Sequence, residues 1–202
     1  MNKFASVKTG TRIIGFDDGS FDSNSDKTTC LVGVVTRGGD GLDGVLVRDI
    51  EIDGMDLTST LVGMINGSRH KEQLQIIMTY GITFGGFNIL DTKTVYNETG
   101  LPIIVVSRKK PDMESVKEAL KNLPDWKRRW NILKNSGELT SVKTGNFQEI
   151  RSTIYIQTCG IDGSEAKEIV KMSSTRSAIP EPIRLAHIIS TGISRGESVG
   201  RV

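Results

Sequence analysis

The sequence is poor in aromatic side chains and in the residues that bind transition metals. Only 5% of its 202 residues are aromatic, so Val, Ile and Leu must fill most of the core. The two histidines, His70 and His187, and the two cysteines, Cys30 and Cys159, are dispersed along the chain. This spacing excludes a zinc site of Cys and His ligands, and any bound metal must be held by carboxylates.

Long apolar runs are also absent. No stretch approaches the roughly 18 consecutive apolar residues that span a bilayer. The N-terminal segment, residues 1–12, lacks an apolar core followed by a cleavage site. We therefore expect a cytoplasmic protein with no membrane partner, in which both cysteines are buried thiols.

The charges are balanced, with 26 Lys and Arg against 24 Asp and Glu and a net charge of +2. This balance excludes a histone-like polycation and a long acidic tail, but it allows a local basic patch. The sequence has no GxGxxG after a strand, no Walker loop and no Ser-His-Asp or Cys-His order with supporting motifs. Dinucleotide binding, nucleoside triphosphate binding and nucleophilic hydrolysis therefore have no support.

The first third of the chain has the pattern of β-strands. Residues 12–17, 28–36 and 45–52 are rich in β-forming side chains, and the glycine-rich segment RGGDGLDG predicts a hairpin loop between the last two. Three strands joined by short loops predict an antiparallel meander.

From residue 57 onward, helices and strands alternate. The periodicity predicts helices over 57–65 and 89–99, the second ended by Gly100, and strands over 74–78 and 101–106. Further on it predicts helices over 112–122, from Pro124, over 165–172 and over 182–193, a strand over 153–158, and a frayed tail over 196–202. Strands alternating with helices predict βαβ units.

This order predicts an α/β fold of ribonuclease H-like topology. Its mixed sheet has antiparallel first three strands, then βαβ units, and then extra C-terminal β and helical elements. We expect one domain over residues 1–202, with 138–202 as a C-terminal elaboration.

Two adjacent carboxylates, Asp17 and Asp18, end the first predicted strand. Since successive strand residues face opposite sides, only one of them can point at a given site, and the strand register decides which. Oxygen ligands of this kind suit Mg²⁺ or Mn²⁺ in a nuclease. The alternative is an Asp-rich turn between glycines.

Three further aspartates precede helices or lie in turns. Asp56 either caps the helix over 57–65 or supplies a second metal ligand. Asp91, at the start of the next predicted helix, has the same two interpretations, of which capping is the simpler. A further hypothesis is that this protein is an enzyme of another class, in which Asp53, Asp56 and Asp91 form a binding site for a small substrate. The fourth strand is followed by Tyr80, which does not hold a divalent cation strongly.

Basic residues follow the strand LPIIVV. Arg108, Lys109 and Lys110 open a region, residues 108–134, with nine basic and four acidic side chains. Such a region either contacts a phosphate backbone or forms a solvated helix face. Trp126 and Trp130 are available to stack on bases, although their helical spacing favours core packing. His187 has the setting of a satisfied, partly buried helix histidine.

Five segments resemble, in order, those of a known family: GFDDGSF, DGVLVRDIEIDGMDLTSTL, YGITFGGFNILD, TGLPIIVVSRKKPD and PEPIRLAH. The sequence is similar to the archaeal endonuclease V homologue family, domain-of-unknown-function family ninety-nine, over Arg12 to Arg195. Endonuclease V itself is more distantly similar. That resemblance implies a ribonuclease H-like fold and Mg²⁺-dependent cleavage of nucleic acid near deaminated bases such as inosine.

The resemblance implies roles for several residues. The first-strand aspartate falls on Asp17, and the GVPTIGVAKK-like segment of endonuclease V matches residues 100–109, which places Arg108 and Lys109 near the nucleic-acid cleft. The PYIP-like wedge and its glutamate are replaced by IDGMDLT, where Asp56 is the substitute. The DGHG-like motif is replaced by Tyr80 and Gly81.

These observations lead to two expectations. The first is an endonuclease V-like protein that hydrolyses DNA or RNA with Mg²⁺ or Mn²⁺. In it Asp17 is the main ligand and catalytic group, Asp56 or Asp18 assists, and Arg108, Lys109 and Lys110 bind the nucleic acid. The alternative is a catalytically inactive nucleic-acid-binding module, because Tyr80 stands where a carboxylate is expected.

Overall fold

The computed structural model describes residues 10–144 and 152–198. They form an α/β fold in which helices cover both faces of a mixed sheet. The strands are β1 (Arg12–Asp18), β2 (Thr28–Arg37), β3 (Asp40–Glu51), β4 (Ile76–Tyr80), β5 (Thr83–Phe84), β6 (Asn88–Ile89), β7 (Ile103–Ser107), β8 (Thr140–Thr144) and β9 (Ser152–Cys159). The helices are α1 (Leu57–Asn66), α2 (Thr92–Thr99), α3 (Met113–Leu120), α4 (Trp126–Lys134), α5 (Gly163–Ser173) and α6 (Glu181–Arg195), with a 3₁₀ turn over Lys71–Gln73.

The main sheet has seven strands in the order β3-β2-β1-β4-β7-β9-β8. The first three strands are antiparallel, β4 and β7 run parallel to β1, and β8 and β9 return antiparallel. The predicted meander and parallel crossovers are therefore confirmed. Phe16 lies opposite Thr79, and Tyr80 lies opposite Val106. This register brings the carboxyl ends of β1, β4 and β7 to one edge of the sheet.

The two faces of β1 pack against different helices. Ile14 and Phe16 belong to a buried cluster that includes Leu61 of α1, whereas Ile13 belongs to a cluster with Ile183 of α6. Because side chains alternate along a strand, Asp18 shares the face of Phe16 and Asp17 shares the face of Ile13. The two acids are thus directed to opposite sides of the sheet.

Several element boundaries differ from the sequence predictions. The hairpin turn is shorter than RGGDGLDG: Gly38, at φ 57°, turns the chain, and β3 already begins at Asp40. Helix α2 begins at Thr92 because Asn88 and Ile89 pair with β5 instead of starting the helix. The strand over Thr140–Thr144 was not predicted, since five residues give little periodicity. Of the tail predicted to fray, residues 199–202 lie outside the described part of the chain.

The burial of the cysteine and tryptophan side chains can be compared with the predictions made from the sequence. Cys30 and Cys159 are free thiols and are half-buried, not buried as expected. Trp126 and Trp130 pack against the buried cluster of Ile89, Leu120 and Leu133, as their spacing favoured. Within residues 10–144 and 152–198, no helix is both long enough and apolar enough to cross a membrane.

Candidate active site at the ends of the central strands

A buried carboxylate paired with a histidine lies at the end of β1. Asp17 is 4% exposed, and its Oδ2 lies 2.7 Å from Nδ1 of His187. The contact depends on close packing of α6 on β1: a Cβ at Gly15 would lie 2.3 Å from the backbone carbon of Pro182. Glycine therefore lets α6 run alongside β1, and the helix carries His187 over Asp17.

The buried environment of Asp17 and His187 disfavours an unpaired negative charge on the Asp17 carboxylate. Burial raises the pKa of Asp17, while the hydrogen bond and charge of His187 act in the opposite direction. Nε2 of His187 is buried and has no hydrogen-bond partner among the described residues. Buried polar atoms normally have partners, so Nε2, on the other side of the ring from the Asp17 contact, is an unsatisfied buried polar atom next to the pair.

Asp18 occupies the opposite face of the same strand end. Its Oδ2 accepts a hydrogen bond from the backbone N–H of Gly85 at 2.7 Å. Burial raises the pKa of Asp18 to about 6, and the charge of Asp17 acts in the same direction. Asp17 and Asp18 therefore share a strand end, but their carboxyl groups have different neighbours on opposite faces of the sheet.

Tyr80 and Arg108 complete this edge of the sheet. Tyr80 ends β4 and is half-buried; burial raises the pKa of its phenol, Arg108 lowers it and Asp17 raises it further. The phenol of Tyr80 is therefore within electrostatic range of Arg108 and of Asp17. Arg108, Lys109 and Lys110 are exposed directly after β7, so the predicted phosphate-binding residues lie at the same end of the sheet as Asp17.

Asp56 occupies the N-cap position of α1, but its side chain makes no capping hydrogen bond. Its Oδ1 instead accepts from Asn88 Nδ2 at 2.6 Å, and its oxygens lie 3.2 and 3.3 Å from the backbone N–H of Glu51. The prediction that the Asp56 side chain caps α1 is therefore wrong. Its carboxylate instead accepts hydrogen bonds from Glu51 at the end of β3 and from Asn88 of β6.

The other two aspartates are bound to the backbone near them. Asp91 caps α2, which was the simpler of its two interpretations, because Oδ1 accepts from Lys93 N and Thr94 N. Oδ1 of Asp53 accepts from Phe87 N at 2.8 Å. Over the described ranges, no three His, Cys, Asp or Glu side chains are grouped so as to hold a metal ion. The predicted ligands Asp17, Asp18 and Asp56 are therefore not grouped as a three-residue metal site, and neither are Asp53, Asp56 and Asp91.

The carboxylates available at the end of β1 determine which kind of metal site these residues can form. Because Asp17 and Asp18 face opposite sides of the sheet, each face of the β1 end supplies one of these carboxylates, fewer than a complete protein cage requires. Mg²⁺, however, commonly keeps several waters and takes one or two carboxylates together with substrate phosphates. The residues therefore fit a cation that is held jointly with a phosphate group.

Two residues important to this region were not identified from the sequence. His187 was interpreted as an ordinary helix histidine, although it contacts Asp17 across 170 positions of sequence. Arg129 lay within the candidate basic patch but is 3% exposed, and its guanidinium donates to the backbone oxygens of Asp53, Gly54 and Phe87. It braces the loop before α1 and is not available to phosphate. The segment PEPIRLAH was the only sequence feature that pointed to His187.

A cavity of about 200 Å³ adjoins this edge on the α3 and α4 side. Gly81, Ser107 and Lys109 line it, and these residues are sequence neighbours of Tyr80 and Arg108. Phe87 and Val116 supply apolar wall, and Gln157 supplies an amide. An apolar pocket with a few polar groups is the usual form of a small-ligand site.

The chain belongs to the endonuclease dU family, whose sequence profile matches residues 9–194. A UPF0215 protein of Methanothermobacter thermautotrophicus is 48% identical over 200 residues, which cover 98% of this chain and 95% of the relative. The resemblance noted in the sequence to archaeal homologues is thus confirmed.

Solved structures show the same fold. A protein of unknown function from Archaeoglobus fulgidus has a TM-score of 0.80 at 41% identity, covering 92% of this chain and 99% of that one. Human ENDOV has a TM-score of 0.61 at 18% identity, covering 92% and 85%. Ciona intestinalis endonuclease V, solved with a 23mer DNA containing an inosine followed by a ribo-adenosine, has a TM-score of 0.60 at 13% identity, covering 89% and 83%. The mixed α/β fold is therefore similar to that of endonuclease V.

Proposed function

We propose that the protein is a ribonuclease H-like, metal-dependent endonuclease that cleaves DNA or RNA near a deaminated base. The observation that carries the proposal is the buried Asp17, paired with His187, at the edge where Asp18, Tyr80 and Arg108 also lie. The family description, endonuclease dU, and the DNA-bound endonuclease V neighbour support the same class of substrate.

The chain's residues divide the work of such a reaction. Asp17 is the main metal ligand, with Asp18 or Asp56 assisting, and Asp17 and Asp56 are the proposed catalytic residues. Mg²⁺ or Mn²⁺, when bound, supplies Lewis acidity toward the phosphate and a lowered water pKa. The Nδ1 of His187 fixes the orientation of the Asp17 carboxylate. Arg108, Lys109 and Lys110 bind the phosphate backbone through their positive charge.

The cavity lies at the same end of the sheet, on the face of Phe16 and Val105 opposite to Asp17, and it supplies a place for the damaged base. An enzyme that recognises one altered base usually extrudes it from the stack into a pocket, where it is held by hydrogen bonds to its edge and by apolar contacts. The cavity has a mainly apolar wall and opens beside the residues that follow β4 and β7. We assign it to the extruded base.

A catalytically inactive nucleic-acid-binding module is the second candidate. Tyr80 favours it, because a phenol with a raised pKa stands at the end of β4 beside Asp17, where a third carboxylate would complete a metal site. Such a module keeps the basic edge and the cavity but does not cleave.

One experiment separates the two candidates. Purified protein is incubated with labelled DNA and RNA oligonucleotides, plain or containing one uracil or inosine, in Mg²⁺ and in Mn²⁺. The same oligonucleotides are used in binding titrations at several salt concentrations. Cleavage near the altered base supports the endonuclease. Salt-dependent binding without cleavage supports the binding module, and no binding at any salt concentration contradicts both.

A further inference from the structure

Gln157 places a side-chain amide in the wall of the cavity. It lies on β9 directly opposite Val105 of β7, so both side chains face the same side of the sheet. Both residues line the cavity, and Gln157 is half-buried.

Two hydrogen bonds fix the orientation of this amide. Nε2 of Gln157 lies 2.9 Å from Oγ of Ser136 and 3.0 Å from the backbone oxygen of Gly137. A backbone oxygen only accepts, so the amide group facing Gly137 must be the NH₂. Ser136 donates its own proton to the oxygen of Leu133 at 2.7 Å, so its Oγ accepts from Gln157.

The consequence is a fixed hydrogen-bond acceptor. Both N–H groups of Gln157 are used, and Oε1 is therefore turned away from Ser136 and Gly137. Within residues 10–144 and 152–198, no donor occupies Oε1. Gln157, one of the residues that line the cavity, thus keeps an oxygen that can accept a hydrogen bond and cannot rotate into a donor without breaking two bonds.

Deamination changes the atom that such an acceptor would meet. Cytosine N3 and adenine N1 are acceptors, whereas uracil N3 and hypoxanthine N1 each carry a hydrogen. Two acceptors facing each other in a pocket leave both unpaired, which a site built around a hydrogen bond penalises strongly. An acceptor here therefore favours the deaminated base over the base it came from.

We propose that Oε1 of Gln157 accepts a hydrogen bond from the ring N–H that deamination creates, and so distinguishes uracil from cytosine and hypoxanthine from adenine. This rests on the proposed function, in which the cavity receives the extruded base. Thymine and guanine also carry the ring N–H, so Gln157 separates each deaminated base from its parent only.

The test measures binding without turnover. Fluorescence anisotropy in EDTA gives the dissociation constants of the full chain for oligonucleotides with one deoxyuridine, one deoxycytidine or one N3-methyldeoxyuridine, which lacks the N–H. We expect the wild-type protein to bind deoxyuridine about tenfold or more tightly than either of the others. In Gln157→Leu, which has no acceptor, the three dissociation constants should become equal.

Two further variants serve as controls. Ser136→Ala removes one of the two bonds that orient the amide and should lower the preference only in part. Gln157→Glu keeps acceptor oxygens but loses both N–H groups, so it should retain a preference for deoxyuridine over N3-methyldeoxyuridine. Melting temperatures check that each variant is folded.

The outcomes separate this inference from the proposed function. If the wild-type protein prefers deoxyuridine to deoxycytidine and Gln157→Leu keeps that preference, the role of Gln157 is overturned while the endonuclease stands. Equal wild-type affinity for deoxyuridine and N3-methyldeoxyuridine also overturns it, even if Gln157→Leu fails to fold. If the cleavage assay described under the proposed function shows no cleavage, the proposed endonuclease activity is overturned, and the binding measurements still decide the role of Gln157.

Discussion

Nδ1 of His187 and Oδ2 of Asp17 lie 2.7 Å apart, although 170 positions separate the two residues in the sequence. The pair exists because α6 packs directly on β1, where Gly15 leaves room for the backbone of Pro182. His187 therefore acts on the proposed chemistry through the position of the Asp17 carboxylate.

The first prediction concerns His187. Replacing it with Ala removes the hydrogen bond that orients Asp17, and we expect the cleavage rate to fall by about a hundredfold. His187→Asn, whose amide can still donate to Asp17, should recover part of the rate. Single-turnover cleavage measures both variants. Equal rates in wild type and His187→Ala contradict a positioning role.

The second prediction concerns the pH dependence of stability. Burial raises the pKa of Asp18 to about 6, against about 3.9 for an unfolded aspartate. A raised folded pKa favours the folded state only while the carboxyl is protonated, so this stability is lost as the pH rises through about 6. Asp18→Asn, which can still accept from Gly85, should raise the free energy of unfolding by roughly 2–3 kcal/mol at about pH 8 and by almost nothing at about pH 3.5.

Urea titrations in EDTA, at several pH values, measure this difference between Asp18→Asn and wild type. The quantity that matters is the difference between the two proteins, since other carboxyls titrate in both. A difference that does not change with pH would show that Asp18 is not desolvated in the folded protein.

The third prediction concerns Gly15. A Cβ there would lie 2.3 Å from the backbone of Pro182, so Gly15→Ala must displace α6 and should cost about 3 kcal/mol of unfolding free energy. Gly63→Ala is the matched control, since nothing lies within 4 Å of a Cβ at Gly63. That change, in α1, should stabilise by about 0.5–1 kcal/mol. Thermal or urea unfolding compares them, and similar effects of the two changes contradict the close packing of α6.

The fourth prediction concerns the basic edge. Arg108→Ala should weaken nucleic-acid binding and reduce the slope of log affinity against log salt by about one, because one phosphate contact is lost. Lys171→Ala removes a charge of the same sign from α5, which packs against β8, and should leave the slope unchanged. Binding titrations over a range of salt concentrations measure both. An equal loss in the two variants points to net charge as the cause.

Local patterns were enough to predict much of the fold. Short apolar runs predicted the three antiparallel strands and the parallel strand before Arg108, and of the two interpretations of Asp91 the structure shows the helix cap. Short elements gave too little pattern: β8 was missed, and Asn88 and Ile89 were taken as the start of a helix.

The candidate site was predicted less completely, for a physical reason. The end of a strand located Asp17, but which of Asp17 and Asp18 faces α6 depends on strand register and on the side where that helix packs. The contacts of His187, Arg129 and Gln157 each join segments far apart in the chain. Tertiary packing creates these contacts, and no local spacing encodes them.

The most direct test of the central claim compares wild type with Asp17→Asn on one DNA duplex that contains a single uracil, in Mg²⁺. Asn is nearly isosteric and keeps an oxygen toward His187, but it cannot supply the negative charge that a divalent cation requires. We predict cleavage by wild type and a rate at least about a thousandfold lower for Asp17→Asn, at an unchanged melting temperature. Equal cleavage by the two proteins, or cleavage by neither, would contradict the assignment of a metal-dependent endonuclease to this edge of the sheet.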